Sequence, residues 1–200
     1  MSEKSEEIKA LAQQCVKKET LLKEVADKLN SSSRRDRQKA ASVFDEVSKI
    51  DAEALTPYIG DMVDALDQSE VQTRWECLEA LSRMVAIDSR ACDRGIKGAE
   101  TALFDEGNDL LHLSAMRFLC ALGATTEKRS EKAWPLIDEG MQCCHGDISY
   151  QDMLVAIIAF SKGKLSPQVK EELAERVSFD AKNGRGALGV RSRQILENVS

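Results

Sequence analysis

Two segments of the sequence repeat one another and decide the fold: RRDRQKAASVFDEVSKID at residues 34–51 and VQTRWECLEALSRMVAID at residues 71–88. They align without a gap at an offset of 37 residues and end in the same Ile-Asp pair. In this alignment the small residue Ala40 corresponds to Cys77. Because self-similarity at a period of about 20–50 residues is the mark of repeat proteins, the pattern indicates a repeat array.

The apolar residues of both segments follow the spacing of one helical face. The matched positions are Phe44 with Leu81, Val47 with Met84 and Ile50 with Ile87. A spacing of three and four residues predicts an amphipathic α-helix. The stripe recurs further on in LHLSAMRFLCALG (residues 111–123) and QDMLVAIIAF (151–160), and a truncated copy, GVRSRQILENV (189–199), closes the chain.

A second amphipathic segment follows each full copy of the first, as in LTPYIGDMVDAL and PQVKEELAERVSF. Asp51 and Asp88 are predicted as N-caps of these second helices, because a carboxylate can accept from free N–H groups of the next turn. Ser166 before Pro167 is predicted to do the same. Each unit is therefore a helix pair, and the predicted units cover residues 36–69, 70–107, 108–146 and 147–184.

Helix pairs of about 40 residues, with an Ala-x₃-Leu-type stripe on the first helix and a cap residue before the second, resemble the HEAT-repeat and armadillo-like family of α-solenoids. The resemblance covers residues 34–200. It implies an all-α fold, a right-handed α-solenoid of about four HEAT-like helix pairs with an N-terminal capping helix and a C-terminal half-repeat. A compact helical bundle without repeats is the alternative.

Residues 1–33 lie outside the repeat. Their apolar residues follow a heptad pattern that Lys18 interrupts, and three consecutive serines end the helix. We expect one capping helix over the apolar flank of the first pair, with a coiled-coil dimerisation helix as the alternative. The predicted organisation is a capping helix at residues 1–33 and a repeat array at residues 34–200, together one domain that is a monomer or weak dimer.

Composition and charge exclude several classes of protein. With 42% apolar and 4% aromatic residues, the 200-residue chain is neither collagen-like nor disordered. It contains no apolar run of the roughly 18 residues that a membrane helix needs, and its charged start, MSEKSEEIKA, is unlike a signal peptide. These features predict a cytoplasmic protein whose six cysteines stay reduced and mostly pack in the core.

Candidate catalytic and metal-binding groups are few. Cys143, Cys144 and His145 offer three soft ligands, but adjacent helical residues diverge by about 100°, which disfavours a shared metal. His112 is expected to be partly buried and hydrogen-bonded rather than catalytic. Residues 184–189, GRGALG, match a dinucleotide-binding pattern, but a predicted helix precedes them instead of a strand. The sequence therefore predicts no enzyme, no cofactor and no metal.

The DNA-alkylation-repair glycosylases are HEAT-like proteins that this chain resembles in architecture, and they hold DNA on a basic face. Residues 31–39 carry four basic residues against one acidic, but residues 45–67 carry seven acidic residues against Lys49. Phosphate binding needs several cations on one face, so nucleic acid is the less favoured partner. A secondary basic patch for an acidic partner is predicted at Arg34, Arg35 and Arg37.

In the family that the chain resembles, the second helices line the concave surface, and the polar positions between their apolar anchors are candidates for contact with a partner. Trp134 is instead expected at a core position. Tyr and Arg are frequent in binding hot spots, which favours Tyr58 and Arg94. The predicted partner-binding residues are Tyr58, Asp61, Asp64, Arg94 and Lys97. The predicted function is a non-catalytic protein-binding scaffold or adaptor, and a bilin-lyase-like HEAT protein is a further alternative.

Overall fold

The computed structural model describes residues 3–200, with side chains from residue 5 onward. Within this range the chain forms α-helices and short 3₁₀ segments and contains no β-strand. The α-helices are α1 (Glu3–Lys17), α2 (Glu19–Leu29), α3 (Arg34–Ile50), α4 (Ile59–Asp64), α5 (Val71–Cys92), α6 (Ile96–Leu103), α7 (Asp109–Gly123), α8 (Glu127–Cys143), α9 (Tyr150–Ser161), α10 (Pro167–Asn183) and α11 (Gly186–Val199). None of these helices is long and apolar enough to cross a membrane.

Contacts between residues divide the chain into two compact units, the first up to Ala102 and the second from Leu103. The first unit holds α1 to α5 and nearly all of α6, and the second holds α7 to α11. Each of the four predicted repeat segments contains two helical stretches, and α11 occupies the place of the expected half-repeat. The 3₁₀ segments Glu53–Tyr58 and Ala65–Asp67 flank α4, and Asp93–Gly95 precedes α6.

The predicted apolar stripe forms the core of the first unit, where α3 packs against α5. Ala40, Phe44 and Val47 on α3 are 1% exposed or less. Leu81 and Met84 on α5 are completely buried. Burying one such aliphatic or aromatic side chain contributes roughly 1.5–3 kcal/mol, so these buried side chains stabilise the first unit.

The stripe ends one helical turn earlier than the sequence predicts. Ile50 and Ile87, expected as its last members, are 50% and 39% exposed. The residue that follows each isoleucine leaves helical geometry, with φ −152° and ψ 89° at Asp51 and φ −140° and ψ 79° at Asp88. The chain therefore turns away at the isoleucine, and its side chain stays outside the contact between the helices.

These two breaks are capped differently. Oδ1 of Asp88 accepts a hydrogen bond from the backbone N–H of Ala91 at 2.9 Å, which confirms its predicted role as an N-cap. The same prediction for Asp51 is wrong. The segment after it opens as a 3₁₀ helix at Glu53, with Ala52 at the N-cap position and no side-chain cap bond.

A line of polar side chains, the polar seam, runs beside the stripe between α3 and α5. Glu76 is 6% exposed, and its carboxylate accepts from the hydroxyl of Ser42 at 2.9 Å and from the amide of Gln72 at 3.3 Å. The Arg83 guanidinium donates to Asp45 at 2.9 Å. Burial raises the pKa of Glu76 to about 7, because desolvation of the charged form outweighs the hydrogen bonds from Ser42 and Gln72.

The raised pKa of Glu76 predicts a pH-dependent stability. The folded chain binds this proton more tightly than the unfolded chain, so the contribution is complete at acid pH and is lost as the pH rises from about 4.5 to about 7. At about 1.4 kcal/mol per pKa unit, wild type should lose about 2–3 kcal/mol between pH 5 and pH 8 that Glu76→Gln retains. Urea unfolding of both proteins at the two pH values measures this difference.

The exposed Glu100→Gln change provides the matched control, since it removes a carboxylate from the same unit without touching the polar seam. Its unfolding free energy should follow wild type at both pH values. Parallel pH dependence in wild type and Glu76→Gln would show that Glu76 is ionised in the folded protein over the whole range.

The N-terminal segment contains two helices, α1 and α2, where the sequence predicts one. The break lies at Lys18, whose backbone is extended at φ −137° and ψ 98°. Both helices pack against α3, and Cys15, Leu22 and Leu29 are 3% exposed or less. Their apolar side chains are therefore buried within the first unit, and the role of this pair as the cap of the array stays a prediction.

In the second unit, α7 packs against α8 and α9, and α11 packs against α9 and α10. The predicted start of α10 is confirmed, because the Ser166 hydroxyl accepts from the N–H of Val169 and Pro167 is the first helical residue. The loop before α10 touches the end of α7, where the N–H of Lys164 donates to the carbonyl oxygen of Ala124 at 2.8 Å.

This crossing of two backbones requires a glycine. A Cβ added to Gly163 would lie 2.6 Å from the Cα, Cβ and carbonyl oxygen of Ala124. Gly163→Ala should therefore lower the free energy of unfolding by about 1–3 kcal/mol, measured by urea denaturation. Gly60→Ala is the matched control, because the nearest atom lies 3.9 Å from its Cβ, and the change should be neutral or stabilising by up to about 1 kcal/mol. Equal effects of the two changes would contradict the close approach.

Candidate binding surface

The second helical stretch of the first predicted unit carries Tyr58, which is half-buried. Its ring packs at 55° against that of Phe44, with centroids 5.9 Å apart. Burial raises the pKa of the Tyr58 hydroxyl, and the charges of Glu19, Asp27 and Asp61 raise it further. The aromatic residue that the sequence favours thus lies among carboxylates from two helices, α2 and α4.

Asp61 lies beside this tyrosine at the start of α4, and its backbone carbonyl accepts from the Asn30 amide at 3.1 Å. Burial raises the pKa of Asp61, and the negative charges of Asp64 and Asp27 raise it further. Like charges that hold a pKa up are close enough to repel one another. We call Glu19, Asp27, Tyr58, Asp61 and Asp64 the acidic patch of the first unit.

Two of the predicted residues form an ion pair at this patch. The Arg94 guanidinium lies 3.2 Å from the Asp64 carboxylate, and both side chains are more than 60% exposed. An ion pair that water screens this well contributes little to stability, so both groups remain available to a partner. Gly60 lies beneath the arginine, and Lys97 is exposed on α6.

The predicted basic patch is only partly available. Arg37 is held by Glu70 through two hydrogen bonds, one of them 3.1 Å long from Nε, and it donates to the carbonyl of Ser31 at 2.7 Å. Its side chain is 11% exposed. Arg37 therefore does not belong to the exposed basic patch, because Glu70 neutralises its charge inside the first unit. Arg34 and Arg35 are exposed.

This ion pair predicts a difference between neighbouring arginines. Arg37→Gln leaves Glu70 buried without its cation and should cost roughly 3 kcal/mol in the free energy of unfolding. Arg34→Gln removes the same charge from an exposed position of the same helical turn and should cost less than about 0.5 kcal/mol. Chemical denaturation at pH 7 compares the two variants, and equal losses would show that the Arg37 pair contributes nothing specific.

The second unit contains a groove that sequence reasoning did not identify. It lies on α8 and α10, has a volume of about 500 Å³, and is called the α8–α10 groove below. Its lining residues are Trp134, Asp138, Glu172, Glu175, Arg176 and Phe179. Phe179 is 72% exposed, which is unusual for a phenylalanine in a helix that also contributes to the core.

Hydrogen bonds between equivalent positions of α8 and α10 fix the walls of this groove. Trp134 is 5% exposed and stacks on Phe160 at a centroid distance of 6.4 Å, which confirms its predicted core position. Its indole N–H donates to Glu172 at 2.5 Å. Arg176 donates to both oxygens of Asp138, at 2.5 and 2.9 Å. Both contacts join residues 38 apart in sequence, which is close to the repeat length and could have indicated the groove.

The remaining candidate catalytic and metal-binding groups are two histidines and two cysteines. His112 lies 2.5 Å from the carbonyl oxygen of Asp105, as expected for a partly buried, hydrogen-bonded histidine. His145 is half-exposed and lies 3.2 Å from Asp180. Cys143 is exposed and Cys144 is buried. Among the described residues, no three His, Cys, Asp or Glu side chains are placed to hold a metal ion.

The sequence matches no family model, and no curated protein matches it. Solved structures do match. A designed armadillo repeat protein in complex with the peptide (KR)4 is 12% identical with a TM-score of 0.79, covering 98% of this chain and 91% of that one. Computationally designed armadillo repeat proteins for modular peptide recognition match at 13% identity and a TM-score of 0.75, covering 96% and 90%. An engineered protein matches at 13% identity and a TM-score of 0.69, covering 98% and 89%.

Identity of 12–13% shows the fold alone. The chain is an all-α solenoid of the armadillo/HEAT-like type, which confirms the predicted fold class. Along residues 34–200, the helix pairs and the final half-repeat follow one another in the order that the sequence predicts.

Proposed function

We propose that this protein is a non-catalytic, protein-binding repeat scaffold, and that its second helices take an extended partner segment bearing lysine or arginine. The observation that carries the proposal is the α8–α10 groove, in which an exposed aromatic side chain lies among carboxylates. The acidic patch of the first unit, with its tyrosine, supports the same chemistry. Aromatic and acidic groups together suit cationic side chains.

Charge in the α8–α10 groove favours a cation. Asp138, Glu172 and Glu175 line it against the single cation Arg176. Two of the carboxylates already accept hydrogen bonds from α8 and α10 side chains, whereas the exposed carboxylate of Glu175 accepts none from the described part of the chain. Glu175 can therefore pair with a partner's lysine or arginine, while Phe179 offers its ring to the aliphatic stem or the cationic head.

The acidic patch of the first unit favours a cation for a different reason. The pKa of Asp61 is raised partly by Asp27 and Asp64, so these carboxylates repel one another when all are ionised. A cation bound among them relieves this repulsion, and the resulting free energy favours binding. Arg94 already relieves part of it by pairing with Asp64. We expect Asp61 and Tyr58 to contribute more to binding than Lys97, which adds a like charge.

The structural comparisons are consistent with this chemistry, since one of the matching proteins is a designed armadillo repeat protein in complex with the peptide (KR)4. The negative charge of both surfaces disfavours a phosphate backbone, which weakens the alternative of a nucleic-acid-binding protein of the alkylation-repair type. The proposal does not depend on any catalytic group.

Fluorescence anisotropy with fluorescein-labelled (KR)4 tests the proposal, because that peptide carries only the side chains that the surfaces should select. We expect saturable binding that weakens as salt increases, and no binding of a peptide of equal length built from Glu and Asp. Glu175→Gln and Phe179→Ala should each weaken binding about five-fold, equivalent to about 1 kcal/mol.

Glu171→Gln is the matched control, because Glu171 is an exposed carboxylate on the same helix that does not line the groove. It should change binding by less than about two-fold. Lack of binding, or equal effects of the Glu171 and Glu175 changes, would overturn the proposal. Tight, salt-sensitive binding of a short duplex DNA would favour the nucleic-acid alternative instead.

A further inference from the structure

The first unit also contains a pocket where α1, α2 and α3 meet, and none of its lining residues belongs to the acidic patch. It has a volume of about 340 Å³ and is called the α1–α3 pocket. Its lining residues are Leu11, Leu21, Glu24, Val25, Lys28, Arg35, Asp36, Lys39, Ala40 and Val43. None of them belongs to the second helical stretches that the proposed function uses.

The floor of this pocket is apolar. Val25, Ala40 and Val43 are 6% exposed or less, and the half-buried Leu11 and Leu21 form its sides. Side chains of α1 and α2 cover Ala40 and Val43 almost completely, so the apolar surface that faces the open pocket belongs mainly to Leu11 and Leu21. An apolar group that filled this space would remove the exposed faces of both leucines from water, which favours binding.

The rim of the pocket is mainly cationic. Lys28 and Arg35 are exposed and form no ion pair within the described part of the chain. Lys39 lies 2.9 Å from Glu7, but these side chains are 47% and 65% exposed, so water screens the pair. The three cations face two acidic residues, Glu24 and Asp36. The lining residues alone therefore carry one net positive charge, Glu7 outside the lining pairs with Lys39, and Lys28 and Arg35 are the cations that remain unpaired among the described residues.

The position of Arg35 strengthens the positive electrostatic potential at the rim of the pocket. Arg35 lies in the first turn of the 17-residue helix α3, whose N-terminal end carries the positive pole of the helix dipole. A cation is unfavourable at this end, and an anion that binds there relieves the conflict. Arg37, two residues further on, is already neutralised by Glu70, so in this turn Arg35 is the exposed cation that lines the pocket, while the exposed Arg34 lies outside it.

We propose that the α1–α3 pocket binds a small amphipathic carboxylate, with its apolar body against Leu11 and Leu21 and its carboxylate between Lys28, Arg35 and Lys39. At about 30 Å³ for each water-sized group, a volume of about 340 Å³ holds about a dozen non-hydrogen atoms. This is the size of a medium-chain fatty acid and too small for a folded peptide element. The anionic head selects against neutral and cationic ligands of equal length.

Decanoate is a suitable probe, and decanol and decyltrimethylammonium are its neutral and cationic counterparts. Titration of the full ¹⁵N-labelled chain should show amide shift changes with decanoate that cluster at residues lining the pocket on α1, α2 and α3. The dissociation constant should rise at least about five-fold in Arg35→Gln and in Lys39→Gln, because each removes a cation from the rim.

Arg34→Gln is the matched control, since it removes an exposed cation one residue away that does not line the pocket, and it should change affinity less than about two-fold. Equal affinity for decanoate and decanol, equal effects of the Arg34 and Arg35 changes, or shift changes outside the pocket would each overturn the proposal. Binding of (KR)4 to the second helices is unaffected by any of these outcomes, so the two proposals fail separately.

Discussion

The close packing of α3 against α5 is the interaction on which the rest of the first unit depends. Ala40 and Phe44 on α3, and Cys77 and Leu81 on α5, are all 1% exposed or less. Since a buried stripe of this kind is available only to helices of matching register, the contact also fixes which polar side chains meet beside it. The polar seam, in which burial raises the pKa of Glu76, is a consequence of that register.

The packing of the first helices also determines which charged side chains remain exposed. The apolar faces of the first helices pack against neighbouring helices, and a charged group inside such a contact is neutralised there, as Arg37 is by Glu70. The second helical stretches carry their carboxylates outward, in the acidic patch of the first unit and in the α8–α10 groove of the second. Solvated carboxylates cost little stability there, so they are available for the proposed pairing with a cationic partner.

Much of the fold could be predicted because its signals are local. The i, i+3, i+4 spacing around Phe44 and the Ser166-Pro167 start of α10 need no information from distant parts of the chain. Less of the candidate surface could be predicted. The sequence proposes Tyr58, Asp61 and Asp64, but their acidic neighbours Glu19 and Asp27 come from α2. Phe179 has the spacing of an ordinary amphipathic helix, and only its exposure marks it.

The sequence by itself determined that this chain stacks helix pairs, because the periodicity of apolar side chains is set by the geometry of the α-helix and repeats at every unit. The tertiary structure alone decided which charges remain free. The charges of Glu19 and Asp27 act on Tyr58, and Glu70 pairs with Arg37 and keeps it from the surface. Each of these contacts joins residues that are 31 or more positions apart in the sequence. Such pairings depend on how the helices pack against one another, and a pattern within one helix carries no information about them.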